Sequence, residues 1–121
     1  MRRMTFARAV LAFAACMMSS SVGQAHAILL DSQPAPRGTL PAGTAAVRLQ
    51  FNSRIDRERS VLTLLKPGAP PEHLTVGADG PTDLMTAQLS LVAGAYVLRW
   101  QVLAVDGHIT RGDVPFTAVA P

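Results

Sequence analysis

The sequence predicts an all-β domain, a small sandwich or barrel of about seven short strands. Runs rich in Val, Leu, Ile, Tyr and Phe alternate with polar residues at period two. Glycine and proline, nine of each in 121 residues, break those runs at short intervals. No stretch sustains helical periodicity between capping residues. Strands of this number and length fit a Greek-key arrangement, immunoglobulin-like in layout, in which pairing and edge prolines blunt the exposed edges.

The first part of the chain is expected to lie outside that domain. Residues 1–25 carry Arg2, Arg3 and Arg8, an apolar run from Ala9 to Met18, three serines, and the small-residue pattern Gly23-Gln24-Ala25. These are the three regions of a secretory signal peptide. The apolar run is about half the length a membrane-spanning helix needs, so cleavage is expected rather than anchoring. Phe13-Ala14-Ala15-Cys16 faintly resembles a lipoprotein processing site. Phe13 fits it poorly and the apolar run continues past Cys16, so a cysteine within a signal helix is the expectation. Cleavage after Ala25 and after Ala27 both satisfy the small-x-small rule.

Removing the leader changes the electrostatics. Three of the eleven basic residues go with it, leaving eight against eight acidic residues, and the formal net charge falls from +3 to zero. No basic stripe remains to bind nucleic acid. The one cysteine also leaves, so the exported chain forms no disulfide, although its compartment permits one.

The domain, 26–121, begins with the apolar segment His26 to Ser32, a candidate first strand. Gln33 to Ala42 holds Pro34, Pro36, Gly38 and Pro41 and is expected to be a loop. Ala45 to Phe51 alternates as a half-buried strand. Asn52 to Ser60, with charges of both signs, is expected to be a solvated loop. Val61 to Leu65 is a strand and Lys66 to Glu72 a turn. His73 to Val76 is a short edge strand, and Gly77 to Asp83 a loop. Leu84 to Leu91 leads through a turn at Val92-Ala93-Gly94 into the longest strand, Tyr96 to Val105, with Trp100 as its core anchor. Asp106-Gly107-His108 then turns the chain, and Ile109 to Thr117 returns.

That hairpin tip carries two potential metal ligands, and the new N-terminus carries another. A terminal histidine offers its α-amine and its ring Nδ1 to one ion, closing a six-membered chelate. Both nitrogens must be deprotonated to bind, so affinity weakens as pH falls. Two nitrogens from His26, one imidazole from His108 and a carboxylate from Asp106 form an N,O set that suits tetragonal Cu(II), one ion per chain. Asp106 and His108, two residues apart, can face the same side, with no side chain at Gly107 between them. Alone, Asp-Gly-His is more often a plain turn with a solvated histidine.

The start His26-Ala27-Ile28-Leu29-Leu30-Asp31-Ser32-Gln33-Pro34-Ala35-Pro36-Arg37-Gly38 resembles the opening of CopC-type periplasmic copper-binding proteins. Val47-Arg48-Leu49-Gln50-Phe51 is similar to the same family, as is Gly94-Ala95-Tyr96-Val97-Leu98-Arg99-Trp100 through Asp106-Gly107-His108 to Gly112 and Phe116. The resemblance implies a seven-stranded Greek-key β-barrel in the bacterial periplasm. It implies a Cu(II) site at His26, Asp106 and His108, which favours cleavage after Ala25. It also implies a monomeric carrier or buffer in copper homeostasis and resistance, handing copper to an inner-membrane CopD-like transporter. Two departures are visible. Of five methionines only Met85 lies beyond the leader, so with His73 it is expected to be ordinary surface or core rather than a Cu(I) site. Some family members place a glutamate after the Leu-x-Phe strand; Asn52-Ser53 stands there, and no ligand is expected from that loop.

Two other functions compete. Copper held by a terminal and a second histidine is also the site plan of polysaccharide-oxidising monooxygenases. This chain is short, offers no flat aromatic surface, and would fill coordination space with a carboxylate. A metal-free domain for adhesion or assembly is the other. No cysteine nucleophile survives processing, and no phosphate loop or Ser-His-Asp set is present, so no enzymatic activity is expected.

Overall fold

The computed structural model describes residues 26–121; the expected leader, 1–25, lies outside the described residues. Eight strands follow one another: β1 (Leu29–Gln33), β2 (Gly38–Pro41), β3 (Gly43–Phe51), β4 (Ile55–Leu65), β5 (Glu72–Leu74), β6 (Leu84–Leu91), β7 (Gly94–Ala104) and β8 (Ile109–Val119). They form two sheets, a three-stranded one ordered β1-β3-β6 and a five-stranded one ordered β2-β8-β7-β4-β5.

Alternation along the long strands builds the core between the sheets. Val47, Leu49 and Phe51 of β3 and Met85, Ala87, Leu89 and Leu91 of β6 point inward from one side. Leu62 and Leu64 of β4, Tyr96 to Ala104 at every second position of β7, and Val114, Phe116 and Ala118 of β8 meet them from the other. Burying each of the larger side chains contributes about 1.5–3 kcal/mol. Trp100 is buried as expected and meets Phe51 edge to face at 5.3 Å between ring centroids. It faces Gly112 across the β7–β8 ladder, where a Cβ would stand 2.4 Å from its Cζ2. Only glycine leaves room for the indole there.

The expected seven-stranded barrel is corrected on two counts. Neither sheet closes on itself, so the architecture is a sandwich, and the described residues form eight strands. The additional strand is β2, inside the proline-rich segment expected to be a loop. At four residues it is too short for its alternation, half-buried Gly38 and Leu40 against exposed Thr39 and Pro41, to stand out among the prolines. Its pairing is supplied by β8, with which it runs parallel from Gly38↔Phe116 to Pro41↔Val119. As an edge strand it tolerates Pro41, which has no N–H to donate. Residues 34–37 thereby carry the chain from one sheet to the other.

The expectation of a solvated loop over Asn52 to Ser60 also fails, because β4 starts at Ile55. Its register against β7 shifts between Asp56 and Val61, and that irregularity hid the strand's alternation. Ser60 fills the gap: its hydroxyl donates to Asp56 O at 2.6 Å and accepts from Leu103 N at 3.2 Å. Arg57 is not a solvated charge. Its guanidinium donates to Ala78 O at 2.9 Å and Pro81 O at 2.7 Å, with longer bonds to neighbouring carbonyls. It thus pins the loop before β6.

Candidate metal centre

The β7–β8 turn is closed by its own backbone. Ala104 N donates to His108 O at 2.8 Å and Gly107 N to Ala104 O at 2.9 Å. Gly107 takes φ 93°, in the left-handed region that glycine enters without penalty. Asp106 then bonds the turn with both carboxylate oxygens. Oδ1 accepts from the backbone N–H of His108 at 3.1 Å, an Asx-turn, and Oδ2 lies 2.6 Å from His108 Nδ1. The hydrogen bond from the His108 side chain, with that from its backbone N–H, holds the Asp106 carboxyl below its ordinary value. The pair is open to solvent; the His108 side chain is 59% exposed.

The other end of the described chain arrives beside this turn. Ala27 is buried and packs into the core, and its carbonyl accepts from Thr110 Oγ1 at 2.8 Å. Ile28 is held from the opposite side, its N–H donating to Asn52 Oδ1 at 2.8 Å and its carbonyl accepting from Asn52 N at 3.0 Å. His26, one residue before the first of these anchors, lies with its ring against that of His108, centroids 4.7 Å apart and planes at 69°. All three sequence-selected residues therefore meet at one rim of the sandwich.

The spacing can be compared with what one ion requires. With metal–donor bonds of about 2.0 Å, two imidazoles at neighbouring corners have centroids roughly 4.5 Å apart, and two neighbouring donor atoms stand roughly 2.8 Å apart. The ring pair at 4.7 Å stands near the first value, whereas the Nδ1–Oδ2 pair at 2.6 Å is held at hydrogen-bond distance. Imidazole nitrogen with one carboxylate suits Cu(II). Among the described residues no group of three or more His, Cys, Asp or Glu side chains is arranged to hold a metal.

His73 and Met85 stand apart from this rim. His73 is on edge strand β5, its Nδ1 3.3 Å from Thr63 Oγ1, and Met85 is fully buried on β6. Two surface concavities, of about 540 Å³ and 480 Å³, share His73 and include none of His26, Asp106 and His108. The two residues that sequence reasoning missed are Asn52 and Thr110. Asn52 marks the end of an alternating strand, a visible signal. Thr110 gives none, because its partner lies at the other end of the domain.

A family model for the CopC domain matches residues 29–119. The chain belongs to the CopC family. The CopC match spans Asp106 and His108 and begins three residues after His26. The chain is 32% identical over 116 residues to copper resistance protein C of Pseudomonas syringae pv. tomato, covering 88% of this chain and 91% of that protein. To copper resistance protein C of Xanthomonas campestris pv. juglandis it is 30% identical over 112 residues, covering 85% and 87%. The crystal structure of CopC from Methylosinus trichosporium OB3b matches with TM-score 0.67 at 27% identity, over 78% of this chain and 95% of that one. PcoC, a methionine-rich copper resistance protein from Escherichia coli, shares the fold, with TM-score 0.61 at 24% identity over 78% of this chain and all of PcoC.

Proposed function

We propose that this chain is a non-catalytic, periplasmic copper-binding protein that carries or buffers one Cu(II) ion per chain through His26, Asp106 and His108. Membership of the CopC family supports the copper, the periplasm and the carrier role. The observation that carries the site is the approach of the His26 and His108 rings to 4.7 Å from opposite ends of the domain.

Export removes residues 1–25 and makes His26 the first residue. Its amine and ring Nδ1 then chelate the ion as two adjacent nitrogens. At the turn, Cu(II) takes the place of the proton shared by His108 Nδ1 and Asp106 Oδ2, so that both atoms become donors. Binding therefore releases protons, and affinity falls on acidification. The sandwich is connected as a Greek key, and the protein works as a monomer that passes copper to an inner-membrane CopD-like transporter.

A competition titration of Cu(II) against a chelator tests the site. His108→Ala should lower affinity by about two orders of magnitude or more, and so should one extra residue before His26, which turns the amine into an amide. Unchanged affinity in the first variant removes His108 from the site, and in the second removes the amine. Intact mass of the exported protein checks the first residue; a chain starting at Ile28 has no such chelate.

A further inference from the structure

We infer that Asn52 and Thr110 are positioning residues that aim the first residue of the exported chain at the β7–β8 turn; this rests on the Cu(II) site proposed above.

A chain end is ordinarily the least ordered part of a domain unless something ties it down. Here the regular β1–β3 ladder begins only at Leu29↔Phe51, and its register shifts immediately afterward. Residues 26–28 lie beyond it. Asn52 extends the pairing where β3 has already ended. Its backbone N–H takes the Ile28 carbonyl, and its side-chain oxygen stands in for the strand carbonyl that Ile28 N–H would otherwise meet. Aspartate could also supply that acceptor; alanine could not.

Thr110 ties the same segment to the other half of the site. Its hydroxyl holds the Ala27 carbonyl, one residue from His26, while its own backbone lies two residues from His108. The hydrogen bond closes a short loop running His26, Ala27, Thr110, Ile109, His108. With Ala27 buried, the direction in which His26 leaves the core is fixed from both sheets. Neither Asn52 nor Thr110 need touch the ion. They remove conformers of the terminal residue that binding would otherwise have to exclude, which is preorganisation.

The test uses the exported chain and compares Thr110→Val and Asn52→Ala with the conservative variants Thr110→Ser and Asn52→Asp. Cu(II) affinity is read by chelator competition well below the unfolding midpoint of every variant, and coordination by electron paramagnetic resonance at saturating copper. Thr110→Val and Asn52→Ala should each weaken binding about fivefold, the scale of one lost hydrogen bond, and give spectra of more than one copper species. Thr110→Ser and Asn52→Asp should restore a single species and near-native affinity. Native affinity with one spectral species in both Thr110→Val and Asn52→Ala overturns the positioning role while leaving the site intact, provided His108→Ala still abolishes tight binding. If His108→Ala binds as the parent does, the site and the positioning role fall together.

Discussion

The β7–β8 hairpin ends in two very different ways. At its open end, Tyr96 is buried, stacks on Phe116 at 5.4 Å, and uses its hydroxyl twice. It donates to Val92 O at 2.9 Å and accepts from Val92 N at 3.2 Å. At the turn, Asp106 and His108 spend their hydrogen bonds on each other and leave a ring exposed beside His26. One end is saturated inside the core and the other keeps donors at the surface. The two ends therefore divide buried support from exposed donor groups on a single pair of strands.

That separation can be broken in order of expected size. His108→Ala should abolish tight Cu(II) binding and leave the unfolding midpoint nearly unchanged, because an exposed turn-tip ring contributes little to the core. A large loss of stability would show that the turn is structural. Gly112→Ala should do the reverse in the middle of the hairpin. Its Cβ would collide with the Trp100 indole, and overpacking of this kind costs about 1–3 kcal/mol, measurable by urea unfolding.

Tyr96→Phe sharpens the contrast at the saturated end. It leaves the stack and removes one hydroxyl, so about 1 kcal/mol of stability should be lost with copper affinity unchanged. The smallest effect belongs to the exposed pair Arg99–Asp113 between β7 and β8. The Arg99 guanidinium, 2.8 Å away, holds the Asp113 carboxyl below its ordinary value. A lowered carboxyl stabilises the fold above the ordinary carboxylate range, and that contribution is lost as pH falls through the lowered value. Asp113→Asn should slightly flatten the acid limb of the stability–pH curve, and added salt should shrink even that difference.

Much of this was legible from local pattern. The alternation in β3, β6, β7 and β8 marks the buried faces directly, and Trp100 at the centre of the longest strand marks the core. The Asp-Gly-His turn and a histidine next to an expected signal-peptide cut mark the candidate ligands. What stayed hidden depends on partners distant in sequence. β2 is a strand only because the β8 edge lies beside it, and β4 lost its alternation to an irregularity filled by Ser60. Arg57, read as one charge among several, is defined by carbonyls more than twenty positions away.

The chain by itself determined the class of fold, the family, and the chemical types offered to a metal, because side-chain periodicity and donor identity are local properties. Tertiary structure alone decided that the two histidines meet. The reason is that Ala27 is drawn into the core while Thr110 and Asn52 hold its neighbourhood from both sheets. Sequence can place a residue near a chain end, but only the packing of one sheet on the other sets where that end points.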